Sequence, residues 1–294
     1  MRVARVAAQA KVNLWLTVGA RDPISGYHEI ATLFHRIDLA DEIVVRAGGS
    51  VRAIDCSGPR LPASGLGPAE KNLAFRAAAA YAERTGWPRG FSIELTKNIP
   101  VAGGLGGGSA DAAAVLRALD ALAPNAIGTQ RVQEIGAILG ADVPFVASDQ
   151  VAALGRGIGD LLQGVAPLSP RDVLILLPAF SISTAAAYRW LDQSRDAEQR
   201  LPWMQPGNPI DWTVVEETSV NDFESVVDHR HPELRQLRQW LASKGARVAR
   251  LAGSGSCVLG VFDDTLPSPN DLAVQALAVP TRTSARVVQV EVLE

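Results

Sequence analysis

From Pro100 to Asp111 the chain reads Pro-Val-Ala-Gly-Gly-Leu-Gly-Gly-Gly-Ser-Ala-Asp, with glycine at 103, 104, 106, 107 and 108. An alanine-rich stretch to Leu122 follows at once and predicts a helix, with Ser109 expected as its N-cap. Glycine admits positive φ and lets a ligand approach the main chain closely. A glycine loop entering a helix N-terminus aims free N–H groups and the positive dipole end at one spot, so the stretch predicts an anion site, most simply for phosphate. It matches neither of the two commonest phosphate loops. No lysine follows the glycines as a P-loop requires, and counting from Gly104 and Gly106 the third glycine of a dinucleotide fingerprint would fall on Ser109. A flexible linker would be polar on both sides. Here Leu105 interrupts the glycines and a strand-like Ile93–Leu95 precedes them.

The 294 residues are enough for one large domain or two of ordinary size, and a 47% hydrophobic share supplies the core. The net charge is −3 with no basic block, which argues against a nucleic-acid partner. No apolar run reaches membrane-spanning length, and the start leads into a strand pattern instead of a signal peptide. Cys56 and Cys257 have neither metal nor disulfide spacing, so a reducing cytoplasmic location is expected. The four histidines form no ligand set, and no metal ligand is assigned from them.

Residues 3–19 alternate as a strand, with Val12, Leu14, Leu16 and Val18 on one face and Lys11 and Asn13 on the other. After a turn at Asp22–Gly26, Thr32 to Leu39 returns, and Glu42–Ala47 with Val51–Asp55 suggests a hairpin around Gly48-Gly49. Helices are expected at Lys71–Arg84, Thr129–Leu139, Thr184–Leu191, Asn221–Asp228, Pro232–Lys244 and Leu272–Ala278. Strands are expected at Phe91–Lys97, Asp172–Pro178, Cys257–Phe262 and Arg286–Val292, and residues 193–212 predict a long polar loop. Short strand pairs mixed with helices point to an α+β fold in two lobes, residues 1–154 and 155–294.

Five segments agree in order and spacing with one family: Ala10-Lys-Val-Asn-Leu14, Gly26-Tyr-His28, the loop from Pro100 to Asp111, Gly140-Ala-Asp-Val-Pro144, and Leu251-Ala-Gly-Ser-Gly-Ser-Cys257. The chain resembles the GHMP kinases over nearly its whole length. The resemblance implies a two-lobed fold with the site in the interlobe cleft, an N-terminal ATP-binding lobe and a C-terminal substrate lobe. Within the family the Lys-x-Asn strand, Gly-Tyr-His and Gly-Ala-Asp-Val-Pro resemble a branch of isoprenoid precursor biosynthesis. That branch phosphorylates the tertiary 2-hydroxyl of a methylerythritol unit carried on a cytidine diphosphate. Homoserine or mevalonate kinases are the alternative, and a nucleotide binder without catalysis is a third reading.

The resemblance implies roles for named residues. Lys11 and Asp142 are the catalytic pair: Asp142 takes the proton of the attacking hydroxyl, and Lys11 keeps it ionised and offsets phosphoryl charge. On the residues alone, Asp142 could instead be a solvated carboxylate after a helix, and Lys11 a lysine snorkelling at an edge strand. Pro100, Gly103, Gly104, Leu105, Gly106, Gly107, Gly108 and Ser109 would hold the phosphates of ATP, and Asn72 and Lys97 the adenine. Magnesium is expected with ATP; no protein ligand is assigned to it, and Ser109 is only a candidate. For the substrate, Asn13 would hydrogen-bond, Tyr27 and Tyr188 would sandwich cytosine and His28 would bond to it. Thr184 would lie near the diphosphate, and Gly253, Ser254 and Gly255 would close over the substrate. Tyr188 could equally be a core residue of its helix.

Overall fold

The computed structural model describes residues 1–195 and 209–293, and within them the chain alternates strand pairs with helices. The strands are β1 (Arg2–Arg21), β2 (His28–Ala47), β3 (Arg52–Ser57), β4 (Phe91–Thr96), β5 (Ala152–Arg156), β6 (Leu161–Val165), β7 (Asp172–Pro178), β8 (Val248–Leu251), β9 (Val258–Phe262), β10 (Ala276–Arg282) and β11 (Glu291–Leu293). The helices are α1 (Leu73–Thr85), α2 (Gly107–Leu122), α3 (Thr129–Leu139), α4 (Val143–Ala147), α5 (Thr184–Ser194), α6 (Trp212–Thr218), α7 (Phe223–Arg230) and α8 (Pro232–Ser243). Most of the expected loop over 193–212 lies outside the described residues.

Two sheets with helices on their flanks give the α+β architecture. The larger runs β11-β1-β2-β4-β3, with β5 and β6 added beside β2; the smaller runs β10-β7-β9-β8. The long β1 and β2 pair antiparallel, with register shifts between Gln9 and Lys11 and between Asn13 and Trp15. Irregularities of this kind re-aim side chains, and these two flank Lys11 and Asn13. Helix α2 packs on this sheet through alanines 110, 112, 113, 114 and 118, whose small side chains let it lie close, while Val115, Leu116 and Leu119 fill the core. Each such large buried side chain contributes about 1.5–3 kcal/mol. In β7 the alternation serves two cores: Val173 and Ile175 join the core of the large sheet, and Leu174 and Leu176 pack with α5, α7 and α8.

Long-range pairing changes four of the sequence expectations. β4 inserts between β2 and β3, so Gly48-Gly49 closes no hairpin, and β3 lies parallel to β4. Phe91, Ile93 and Leu95 of β4 are fully buried, whereas Ile54 and Cys56 of β3 are only half-buried, so the more apolar strand takes the inner place. Residues 276–282 form β10 along β7 instead of a helix; Pro280, lacking an N–H, is tolerated on that sheet edge. Helix α2 begins at Gly107 with Gly106, not Ser109, at the N-cap. Finally, β5 pairs with β2 and β6 with β5, carrying the first unit past the expected boundary at 154 to Val165, and β11 returns to pair with β1.

The sheets are latched by the segment before α7. Leu16 N–H donates to Val220 O at 2.7 Å and Asp222 N–H to Leu16 O at 3.0 Å. Buried Asn221 donates through Nδ2 to Leu251 O (2.9 Å) and Gly253 O (2.8 Å), while its Oδ1 accepts from Phe223 N–H. Asn221→Ala strands two carbonyls and one N–H in the interior, a loss on the order of 3 kcal/mol. Urea unfolding of the variant should show a lower midpoint at unchanged slope; an unchanged midpoint would show that the latch contributes nothing.

Candidate active site

The glycine stretch, the β1–β2 hairpin, the α3–α4 connector and α5 surround one cleft of about 1070 Å³. Gly106 has φ 69°, and no side chain caps α2. Gly107, Gly108 and Ser109 have no hydrogen-bond partner for their N–H groups among the described residues. These three donors, with the dipole behind them, form an anion cradle open to the cleft. The loop is fixed from two sides. Lys11 N–H donates to Leu105 O at 3.0 Å, and Cys257 N–H to Gly103 O at 3.3 Å. A Cβ on Gly104 would stand 1.8 Å from the Ala252 carbonyl oxygen, so the two glycine turns meet main chain to main chain.

Beside the cradle, Lys11 Nζ lies 3.2 Å from Asp142 Oδ2 and donates to Asn13 Oδ1 at 2.9 Å. Asn13 Nδ2 in turn donates to Thr32 Oγ1, which donates to Trp15 O. Lys11 is almost wholly buried, whereas 31% of the Asp142 side chain is exposed, so the carboxylate is the partner a ligand can reach. Gly140 ends α3 and Asp142 immediately precedes α4, with Pro144 in its first turn, which holds the carboxylate on a short stiff connector. Arg36, fully buried, secures that connector by donating to Phe145 O (3.1 Å) and Ser148 O (2.9 Å) at the far end of α4. Burial draws its guanidinium down to about 9.

Lys97 lies beneath the cradle with its ammonium between Asp41 and Asp111, 2.7 Å from Asp111 Oδ2. Burial opposes its charge, but the two carboxylates outweigh burial and raise its pKa. Burial also raises the Asp111 carboxyl well above the usual range, Asp41 adds to the rise, and Lys97 only partly offsets it. Lys97 therefore reaches the cleft wall with its charge already committed to protein carboxylates. Asn72 also lines the cleft, and its Oδ1 caps α1 by accepting from Ala74 N–H at 2.9 Å.

At the other end of the cleft, Tyr27 stands 61% exposed at the mouth. His28 lies inward, its ring 4.7 Å from that of Tyr188, and Phe223 meets Tyr188 edge-on at 4.9 Å. Burial, with the Asp142 charge nearby, pushes the Tyr188 phenol up to about 12. Thr184 and Ser254 share a hydroxyl–hydroxyl hydrogen bond of 3.1 Å. Every residue named from the sequence lines this cleft except Gly255, which backs onto Leu251 and Ile182. Sequence reasoning missed Asp192, Arg189, Arg21 and Phe223 in the lining. For Asp192 the signal was helical spacing: Thr184, Tyr188 and Asp192 stand four residues apart on one face of α5.

Comparison with known proteins shows the family and the fold. The GHMP kinases N terminal domain matches residues 72–176 and the GHMP kinases C terminal domain residues 214–274. A 4-diphosphocytidyl-2-C-methyl-D-erythritol kinase of Syntrophotalea carbinolica is 43% identical over 261 residues, 87% of this chain and 89% of that protein. A crystal structure of a 4-(cytidine 5'-diphospho)-2C-methyl-D-erythritol kinase superposes with TM-score 0.73 at 32% identity, covering 96% of this chain and all of that one. A homoserine kinase from Cytophaga hutchinsonii shares the fold, with TM-score 0.68 at 17% identity over 99% of this chain and 97% of that one.

The contact between Gly106 and Lys11 can be tested. A Cβ at residue 106 would fall 2.9 Å from both Cγ and Cε of Lys11, on a backbone already at positive φ. Gly106→Ala should push the ammonium away from Asp142 and lower kcat at least ~10-fold, the effect of losing one aligned electrostatic contact. Steady-state kinetics with ATP saturating would read it; a wild-type kcat in the variant would mean that the lysine is not held from above.

Proposed function

The chain belongs to the GHMP kinase family, and we propose that it transfers the γ-phosphoryl of ATP to the 2-hydroxyl of 4-diphosphocytidyl-2-C-methyl-D-erythritol, a step of non-mevalonate isoprenoid precursor biosynthesis. One observation carries this reading: the Lys11–Asp142 pair stands between an anion cradle and an aromatic pocket within a single cleft. The cradle suits triphosphate. The Tyr27, His28 and Tyr188 rings suit a nucleobase, which homoserine and mevalonate lack.

In the reaction the substrate hydroxyl oxygen attacks the γ-phosphorus and gives its proton to Asp142. The bond from that phosphorus to the β–γ bridging oxygen breaks, releasing ADP. Lys11, 3.2 Å from Asp142, offsets charge on the moving phosphoryl, and the open N–H groups of residues 107–109 hold the phosphates in line. Asn13, bonded to Lys11, keeps the ammonium aimed and offers a contact to the alcohol. Cytosine lies between Tyr27 and Tyr188, with the diphosphate near Thr184 and Ser254. The pocket thus draws on both units: the β1–β2 hairpin gives Tyr27 and His28, and α5 gives Thr184 and Tyr188.

Magnesium accompanies ATP in this reading. Among the described residues no three His, Cys, Asp or Glu side chains gather to hold a metal ion, so no step is routed through it. Two free cysteines suit a reducing cytoplasm, and no described helix is long and apolar enough to cross a membrane.

Asp142→Asn tests the base. The variant should bind both substrates while kcat falls ~10²–10⁴-fold, the usual span for a general base. Retention of more than half the wild-type kcat would remove Asp142 from that role.

A further inference from the structure

His28 lies 8% exposed against Tyr188, and one of its ring nitrogens is committed. Nε2 stands 2.6 Å from Asp192 Oδ1. A carboxylate only accepts hydrogen bonds, so the imidazole must carry its proton on Nε2 and donate it. Neutral His28 is thereby fixed as one tautomer, with a lone pair on Nδ1. That nitrogen has no partner among the described residues, and it is the one polar ring atom left to meet a ligand in the cleft. Asp192 is well placed to impose this. It sits on α5 one turn beyond Tyr188 and two beyond Thr184, so a single helix face carries the ring contact, the hydroxyl contact and the orienting carboxylate.

We propose that Asp192 is the specificity-determining residue for the base: it holds Nδ1 of His28 as an acceptor that takes a hydrogen bond from the 4-amino group of cytosine. This rests on the cytidine-bearing substrate proposed above. Uracil presents a carbonyl oxygen at the same position, and two acceptors would then face each other at a ring that is itself 8% exposed. Asp192 touches no substrate in this scheme. It acts through His28, and its signature is a change in which base is preferred.

The experiment compares kcat/KM for the cytidine substrate and for its uridine counterpart, in wild type, Asp192→Asn and Asp192→Glu. Wild type should prefer cytidine by ~10²-fold or more, the scale on which a buried polar group left unpaired discriminates between ligands. Asparagine offers Nδ2–H as well as Oδ1, so the ring is free to move its proton to Nδ1 and donate to the uracil carbonyl. The cytidine/uridine ratio of Asp192→Asn should fall at least tenfold, while Asp192→Glu, an acceptor only, should keep most of the preference. ATP affinity measured by calorimetry on each preparation establishes that it is folded. If both kcat/KM values fall together in Asp192→Asn and the ratio stays at the wild-type value, Asp192 is merely structural and the proposal is overturned. A wild type that turns over neither nucleotide conjugate, or shows no preference for cytidine, contradicts the substrate reading itself.

Discussion

The placement of Lys11 is the constraint on which the rest of the site depends. Its main-chain N–H holds the Leu105 carbonyl, its aliphatic stem lies against Gly106, and its ammonium meets Asp142 and Asn13. One residue thus joins the sheet, the glycine loop and the α3–α4 connector. Register shifts on either side of Lys11 and Asn13 fit this arrangement, because an unbroken ladder would keep the strand flat at the point where it must serve a loop.

Charge in the cleft is arranged around commitments already made. Lys11 is paired with Asp142 and Lys97 with Asp41 and Asp111, while Asp192 accepts a hydrogen bond from Nε2 of His28. Arg21 and Arg189, both lining the cleft, have no carboxylate partner among the described residues, although Arg21 Nε donates to Gly26 O at 3.0 Å. An acidic protein can therefore still bind anions, since two guanidiniums and the open end of α2 supply local positive potential. Beneath the loop, the buried lysine between two carboxylates acts as a stiffener: removing Lys97 would leave Asp41 and Asp111 facing each other in the interior without a counter-charge.

Chemistry that depends on local sequence was legible before the structure. The glycine loop, the alternation that puts Lys11 and Asn13 on one strand face, and Asp142 between Gly140 and Pro144 are statements about neighbouring residues. What was not legible is decided by distant partners. Nothing near Gly48-Gly49 reveals that β4 will take the place beside β2, and the 272–278 stretch reads as helix until β7 offers an edge to pair with. Ser109 is a good cap by residue type, yet Gly106 occupies that place because contacts from Lys11 and the second glycine turn hold the loop at positive φ there. Asp192 stood in plain view on the α5 stripe, but its meaning depended on His28, 164 residues earlier, arriving at the same place.

The central claim is that one cleft brings a triphosphate, a base-bearing tertiary alcohol and the Lys11–Asp142 pair together. The most direct measurement is a ³¹P NMR assay of the purified protein with ATP and, in parallel, the cytidine-diphosphate conjugate of methylerythritol, homoserine or mevalonate. The account predicts ADP together with a new phosphomonoester signal on the cytidine conjugate alone. A phosphomonoester formed on homoserine or mevalonate, with the cytidine conjugate left untouched, would contradict it.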